Sequence, residues 1–101
     1  MKPEALKPDR WIWVIVQSTG GAEQYFGQQD AETGTAFIPA FYEKEDAQQC
    51  MGRLVPAQKP PPEVQAVCYG DLARDAAANG FGILMLNAEG EILAKIKSGG
   101  T

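Results

Sequence analysis

Trp11-Ile12-Trp13-Val14-Ile15-Val16 is an unbroken apolar run, two tryptophans among four β-branched residues, closed by the polar Gln17. A strand with one wet face alternates apolar and polar side chains, so an unbroken run suits a central strand covered on both faces. Leaving either alternate set bare, Trp11/Trp13/Ile15 or Ile12/Val14/Val16, would expose a large apolar patch. The run is also far shorter than the roughly 20 residues a membrane-crossing helix needs. It therefore predicts a sheet with layers on both sides, and the rest of the chain has to supply them.

Downstream, Ser18-Thr-Gly-Gly21 reads as a turn. Gln24-Tyr-Phe26 reads as a short strand, Gln29 to Gly34 as a polar loop, and Thr35 to Tyr42 as the returning strand of a hairpin. Pro39 inside that strand cannot donate to a ladder, so the strand is expected at an edge, bulged, or locally unpaired. From Glu43 to about Val55 the period turns helical, with Ala47, Cys50, Met51 and Leu54 on one stripe. Pro56 ends that helix, and Lys59-Pro-Pro-Pro62 reads as a stiff connector. Val64 to Tyr69 is a strand. Asp71 is a candidate N-cap for a helix over Leu72 to Ala78, with Asn79-Gly80 closing it. Phe81 to Leu86 and Glu91 to Ile96 are two strands joined by an Asn87-Gly90 turn.

The expectation is an α+β domain with the order β-β-β-α-β-α-β-β, a mixed sheet of about five to six strands and two helices. Residues 1–9 are expected to form a flexible arm, 10–97 the single domain, and 98–101 a disordered tail.

Composition narrows the chemistry. The chain of 101 residues has 13 acidic and 9 basic side chains, a net charge of −4, and no histidine. The basic residues are scattered, so no nucleic-acid partner is expected. Without histidine there is no Ser-His-Asp or Cys-His machinery, and zinc would need two cysteines and carboxylates. Cys50 and Cys68 both sit in apolar patterns and are expected to be reduced, partly because nothing in Met1 to Arg10 resembles a signal peptide. The expected location is the cytoplasm, with no membrane partner, no cofactor and no metal.

Candidate chemical motifs each have a structural counterpart. Glu43, Glu45 and Asp46 could be paired carboxylates, but at a helix start they answer the dipole. Asp30 and Glu32 lack the further ligands of a calcium loop. Ser18 to Gly21 lacks the lysine of a phosphate loop, and Gly80-Phe-Gly82 follows a helix where a dinucleotide loop would follow a strand. Ser98-Gly-Gly-Thr101 is similar to the diglycine tail of ubiquitin-like sulfur carriers, except that Thr101 blocks the carboxylate those proteins activate.

The aromatics remain. Tyr25, Phe26 and Tyr42 stand near strand ends beside polar loops, and with Pro39 they are the candidate contacts for a partner, since aromatic anchors dominate interface hot spots. Catalytic and cofactor-binding residues are not expected.

The stretch Gly34-Thr-Ala-Phe-Ile-Pro-Ala-Phe-Tyr-Glu-Lys-Glu-Asp-Ala47 resembles the N-terminal domain of SseB-like bacterial proteins and related small bacterial domains. In those, a Pro-containing apolar strand runs into a helix. The Phe81 to Leu86 strand with its Gly90 turn is similar to the end of the same domains. The resemblance implies a compact module and brings no catalytic residues. The functional expectation is a small non-catalytic module acting through protein contact or self-association. The alternative is a small-ligand domain or a carboxylate/tyrosine enzyme, which a cleft lined by Tyr and Asp/Glu with shifted pKa values would favour.

Overall fold

A computed structural model describes residues 7–19, 21–29, 34–55 and 61–96. It contains the strands β1 (Trp11–Thr19), β2 (Ala22–Tyr25), β3 (Gln28–Gln29), β4 (Ala36–Phe41), β5 (Glu63–Cys68), β6 (Gly82–Leu86) and β7 (Ile92–Ile96), and the helices α1 (Lys44–Leu54) and α2 (Tyr69–Ala78). The class is α+β, as expected. The seventh strand is β3: Gln29, expected to open the polar loop, pairs with β4 together with Gln28 after the chain passes Phe26 and Gly27. The expected tail, 98–101, and the arm as far as residue 6 lie outside the described residues. Lys7 to Arg10, by contrast, are tied down: Gly70 N–H donates to Pro8 O at 2.9 Å and Tyr69 N–H to Arg10 O at 2.8 Å.

All seven strands form one mixed sheet. β1 pairs antiparallel with β5 on one side; on the other it meets β2 toward its end and β4 at Trp13 and Val14. β4 and β6 run parallel, and β7 returns antiparallel to β6. β5 and β4 are both antiparallel to β1, hence parallel to each other. The chain thus crosses from β4 out to β5 through α1, then back from β5 to β6 through α2. Crossovers between parallel strands share one hand, so reversing the direction of travel sends the two helices to opposite faces.

Two buried clusters follow. Ile12, Val14 and Val16 of β1 join Ile38, Ala40, Ile83 and Met85 beneath Leu72 and Ala76 of α2. Ile15, Phe41 and Leu86 pack on the other face beneath Ala47 and Cys50 of α1. Both alternating sets of the apolar run are used, with one departure: Trp11 is 60% exposed. It lies beyond the last β4 pairing, at Trp13, and has only Cys68 of β5 opposite it.

The strand carrying Pro39 is not at an edge. β4 lies between β6 and the pair β1/β3, and Pro39 is fully buried. The direction of its nitrogen explains this. Phe26 N–H donates to Ile15 O at 2.8 Å, which turns the peptide groups of odd-numbered β1 residues away from β5. Antiparallel alternation then turns the odd-numbered residues of β4 toward β1 and β3. On that side β3 pairs only with Ala36 and Phe37, and β1 only with Ala40 and Phe41. Pro39 sits in the seam between those partners, where no ladder bond is missing. The local break in pairing is real; the edge position is not.

Two other expectations need correction. The strand ending at Tyr25 pairs with β1, while only Gln28 and Gln29 pair with β4. Helix α2 starts at Tyr69 with Cys68 as its cap, so Asp71 lies in its first turn, where it pairs with Arg74 at 3.1 Å. Gly80, at φ +77, ends this helix, while Gly82 lets two elements approach: a Cβ there would lie 2.6 Å from Phe37 Cε1 and 2.7 Å from Ile96 O. That accounts for both glycines of Gly80-Phe-Gly82. Among the described residues no helix is long and apolar enough to cross a membrane.

Candidate functional site

On the α2 face, β2 and the last turns of α2 frame an open cleft of about 520 Å³. That volume falls within the few-hundred-to-thousand Å³ range of small-molecule pockets. Its floor is Val16 and Ile38, with Phe81 and Tyr25 as aromatic walls. Glu23 and Tyr25 are two apart on β2, so strand alternation sends both side chains to the same face. Tyr25 OH donates to Asp75 Oδ2 at 3.2 Å, joining the hairpin to the helix. Burial pushes the Tyr25 phenol above its usual range, and the adjacent Asp75 and Asp71 carboxylates push it further the same way. Tyr25 therefore keeps its proton near neutrality and serves as a donor.

The opposite wall comes from β5. Gln65 Nε2 donates to Glu23 Oε2 at 3.2 Å across β1. Asn79 Nδ2 caps the helix end by donating to Asp75 O at 2.9 Å. The charged side chains lining the cleft, Glu23 and Asp75, are both carboxylates. Each has one oxygen bonded and a second oxygen with acceptor capacity. An acceptor-rich rim over apolar and aromatic walls suits an ammonium or guanidinium group on an aliphatic stem.

The four residues expected to contact a partner do not come together. Tyr25 lines the cleft. Tyr42 packs on the α2-side cluster under the Arg10 guanidinium, 5.1 Å from its ring centre. Phe26 packs against the opposite cluster, beneath α1, and Pro39 presents no surface. Sequence reading missed Asp75, Glu23 and Gln65. The one local signal was the spacing of Asp71 and Asp75, which puts both carboxylates along one side of α2.

Of the remaining candidates, Asp30, Glu32 and Ser98 to Thr101 lie outside the described residues, as do Pro56 and Lys59. Glu43 occupies the N-cap position of α1 without a side-chain capping bond, and Glu45 and Asp46 lie in the first turn. Cys50 and Cys68 are free thiols; Cys50 is buried, and burial pushes its thiol up despite the lowering influence of Arg53. Cys68 is only partly buried. Among the described residues no group of His, Cys, Asp or Glu could hold a metal ion. Fold and cleft together define a two-helix α+β domain with an acidic, aromatic-walled site. Compared with family models, curated proteins and solved structures, the chain has no match.

Proposed function

We propose that this protein is a non-catalytic module that acts through protein contact, taking a Lys or Arg side chain of its partner into the cleft beside Tyr25. The observation that carries the reading is the Tyr25–Asp75 hydrogen bond in a cleft whose charged lining is entirely acidic. The bond orients one carboxylate oxygen and leaves the other as an acceptor, which a cationic donor satisfies with a charge-assisted bond. A protonated phenol and a buried thiol of raised pKa supply neither a base nor a nucleophile at neutral pH.

The test is a titration of isotopically labelled protein, followed by amide NMR, with the N-acetyl methylamides of lysine, arginine and glutamate. The cationic probes should move the signals of Glu23, Tyr25 and Asp75, and the glutamate probe should not. Asp75→Asn should weaken the cationic probes by about tenfold, the worth of one charge-assisted bond. Equal response to all three probes overturns the reading. The volume of the cleft also favours a second occupant, a free small amine; a linear diamine binding more tightly than lysine-containing peptides selects it.

A further inference from the structure

We infer that the partner's chain docks as an added strand along the outer side of β5, with alternate basic side chains turned toward the cleft. The inference rests on the cationic reading of that cleft but adds a backbone contact that reading does not need.

Tyr69 N–H donates to Arg10 O, and the β1–β5 register continues without a slip from Trp11↔Cys68 to Val16↔Glu63. Alternation along an antiparallel ladder then points the peptide groups of Glu63, Gln65 and Val67 at β1. Those of Val64 and Ala66, and the N–H of Cys68, point outward, where no strand among the described residues meets them; the Cys68 carbonyl, at the N-cap of α2, belongs to the helix. The usual protections of an edge are a bulge, a proline or an edge lysine. Between Glu63 and Cys68 there is no bulge, proline or lysine; Pro61 and Pro62 stop just short of the strand, and Glu63 is its single charged side chain.

Charge selects the occupant. Glu63 and Gln65 share the α2 face with Glu23 and Asp75, because they stand opposite Val16 and Val14. An added strand places every second side chain on that face, next to Glu63 and Gln65. Gln65 already reaches Glu23 and lines the cleft, so a long cationic side chain beside it has Glu23 within the same neighbourhood. On the other face the alternate positions meet Val64, Ala66 and Cys68, next to the exposed Trp11, and call for apolar side chains. The partner segment is therefore extended, alternating basic and apolar, the strand-addition mode in which main-chain bonds give affinity and alternate pockets give specificity.

The test uses the full chain and a blocked hexapeptide of alternating valine and lysine. Two further peptides serve as controls: valine alternating with glutamate, and the lysine peptide N-methylated at alternate residues. Binding of the lysine peptide should slow hydrogen exchange at the outward amides of Val64, Ala66 and Cys68. N-methylation, which removes strand donors and keeps the charge, should weaken it by about tenfold or more, one to two main-chain bonds. Ala66→Pro, which removes an outward amide, should weaken the lysine peptide similarly; the N-methyl comparison needs no variant and stands if that one folds poorly. If the N-methylated peptide binds as well and exchange at β5 is unchanged while Tyr25 and Asp75 signals move, strand addition is overturned and the cleft reading survives. If no cationic probe moves the cleft signals, both fall. Protection of Val64, Ala66 and Cys68 that grows with protein concentration, without peptide, assigns the edge to a second copy and overturns the inference.

Discussion

β5 and β7 both close the sheet, yet they are finished in different ways. β7 slips register against β6 between Met85 and Leu86, so Leu93 is an extra residue with no opposite number. Lys95 follows it, its ammonium 5.0 Å from the Phe37 ring centre. A bulge and an edge lysine are two devices by which natural sheets discourage edge pairing, and they explain how Ile92 and Leu93 can remain exposed. β5 pairs residue for residue with β1 and carries neither device. The lesson is that exposed apolar area and pairing capacity are separate properties. β7 has the area, while β5 has the open backbone.

The sharpest way to break the comparison is through the strand that supports β5. Ile15 stands opposite Val64 and is 1% exposed. Ile15→Ala should cost about 2–5 kcal/mol, seen as a lower midpoint in denaturant titration. An unchanged midpoint would mean β1 is not the platform the edge depends on.

The next prediction tests the parity of β5 itself. Gln65→Pro removes an amide that bonds to β1, leaving a carbonyl of Val14 without its partner. Ala66→Pro removes one that points outward. Ring constraints are similar at neighbouring positions of one strand, so Gln65→Pro should be the less stable by about 1–3 kcal/mol. Equal stability by thermal or denaturant unfolding would reverse the assignment of the outer side.

The smallest expected effect belongs to the cleft. The Tyr25 phenol, ordinarily at 10.0, is raised in the folded protein by burial first and Asp75 second. Below that value it is neutral folded and unfolded, and its contribution is fully present. Above it the unfolded chain releases the proton first, so stability falls as pH rises. Tyr25→Phe should flatten the decline that starts near pH 10.0. Cys50, raised by burial from 9.0, adds a decline of the same sign in both proteins, so the difference between their pH profiles isolates Tyr25.

What could be read from the sequence was local. The apolar run of β1 announces a strand with two covered faces, and the Ala47/Cys50/Met51/Leu54 stripe announces α1, because both patterns repeat within one element. Pro39 misleads because its residue type records a missing N–H and says nothing of which neighbour that N–H would have faced. The hairpin after Glu23 was given the wrong partner: a glycine at position 34 marks a turn as visibly as those at 20 and 21, and pairing is decided by register across elements. The cleft was the least legible part. Its Tyr25–Asp75 bond joins residues 50 apart in the chain, and no short pattern brings them together.

The interior position of β1, between β5 and β4, also sets the order in which the protein can assemble. Trp11 must find Cys68, a separation of 57 residues by subtraction of their numbers. The β1–β2 hairpin closes locally, but the α2-side face of β1 stays uncovered until α2 and β6 exist. Long-range pairings of this kind pay their loop closure before they are rewarded, which slows folding. During that wait six consecutive apolar residues in a strand-forming pattern stand open to other chains, the kind of segment on which aggregation nucleates. The run that supplies both faces of the finished sheet with core is also its chief kinetic hazard.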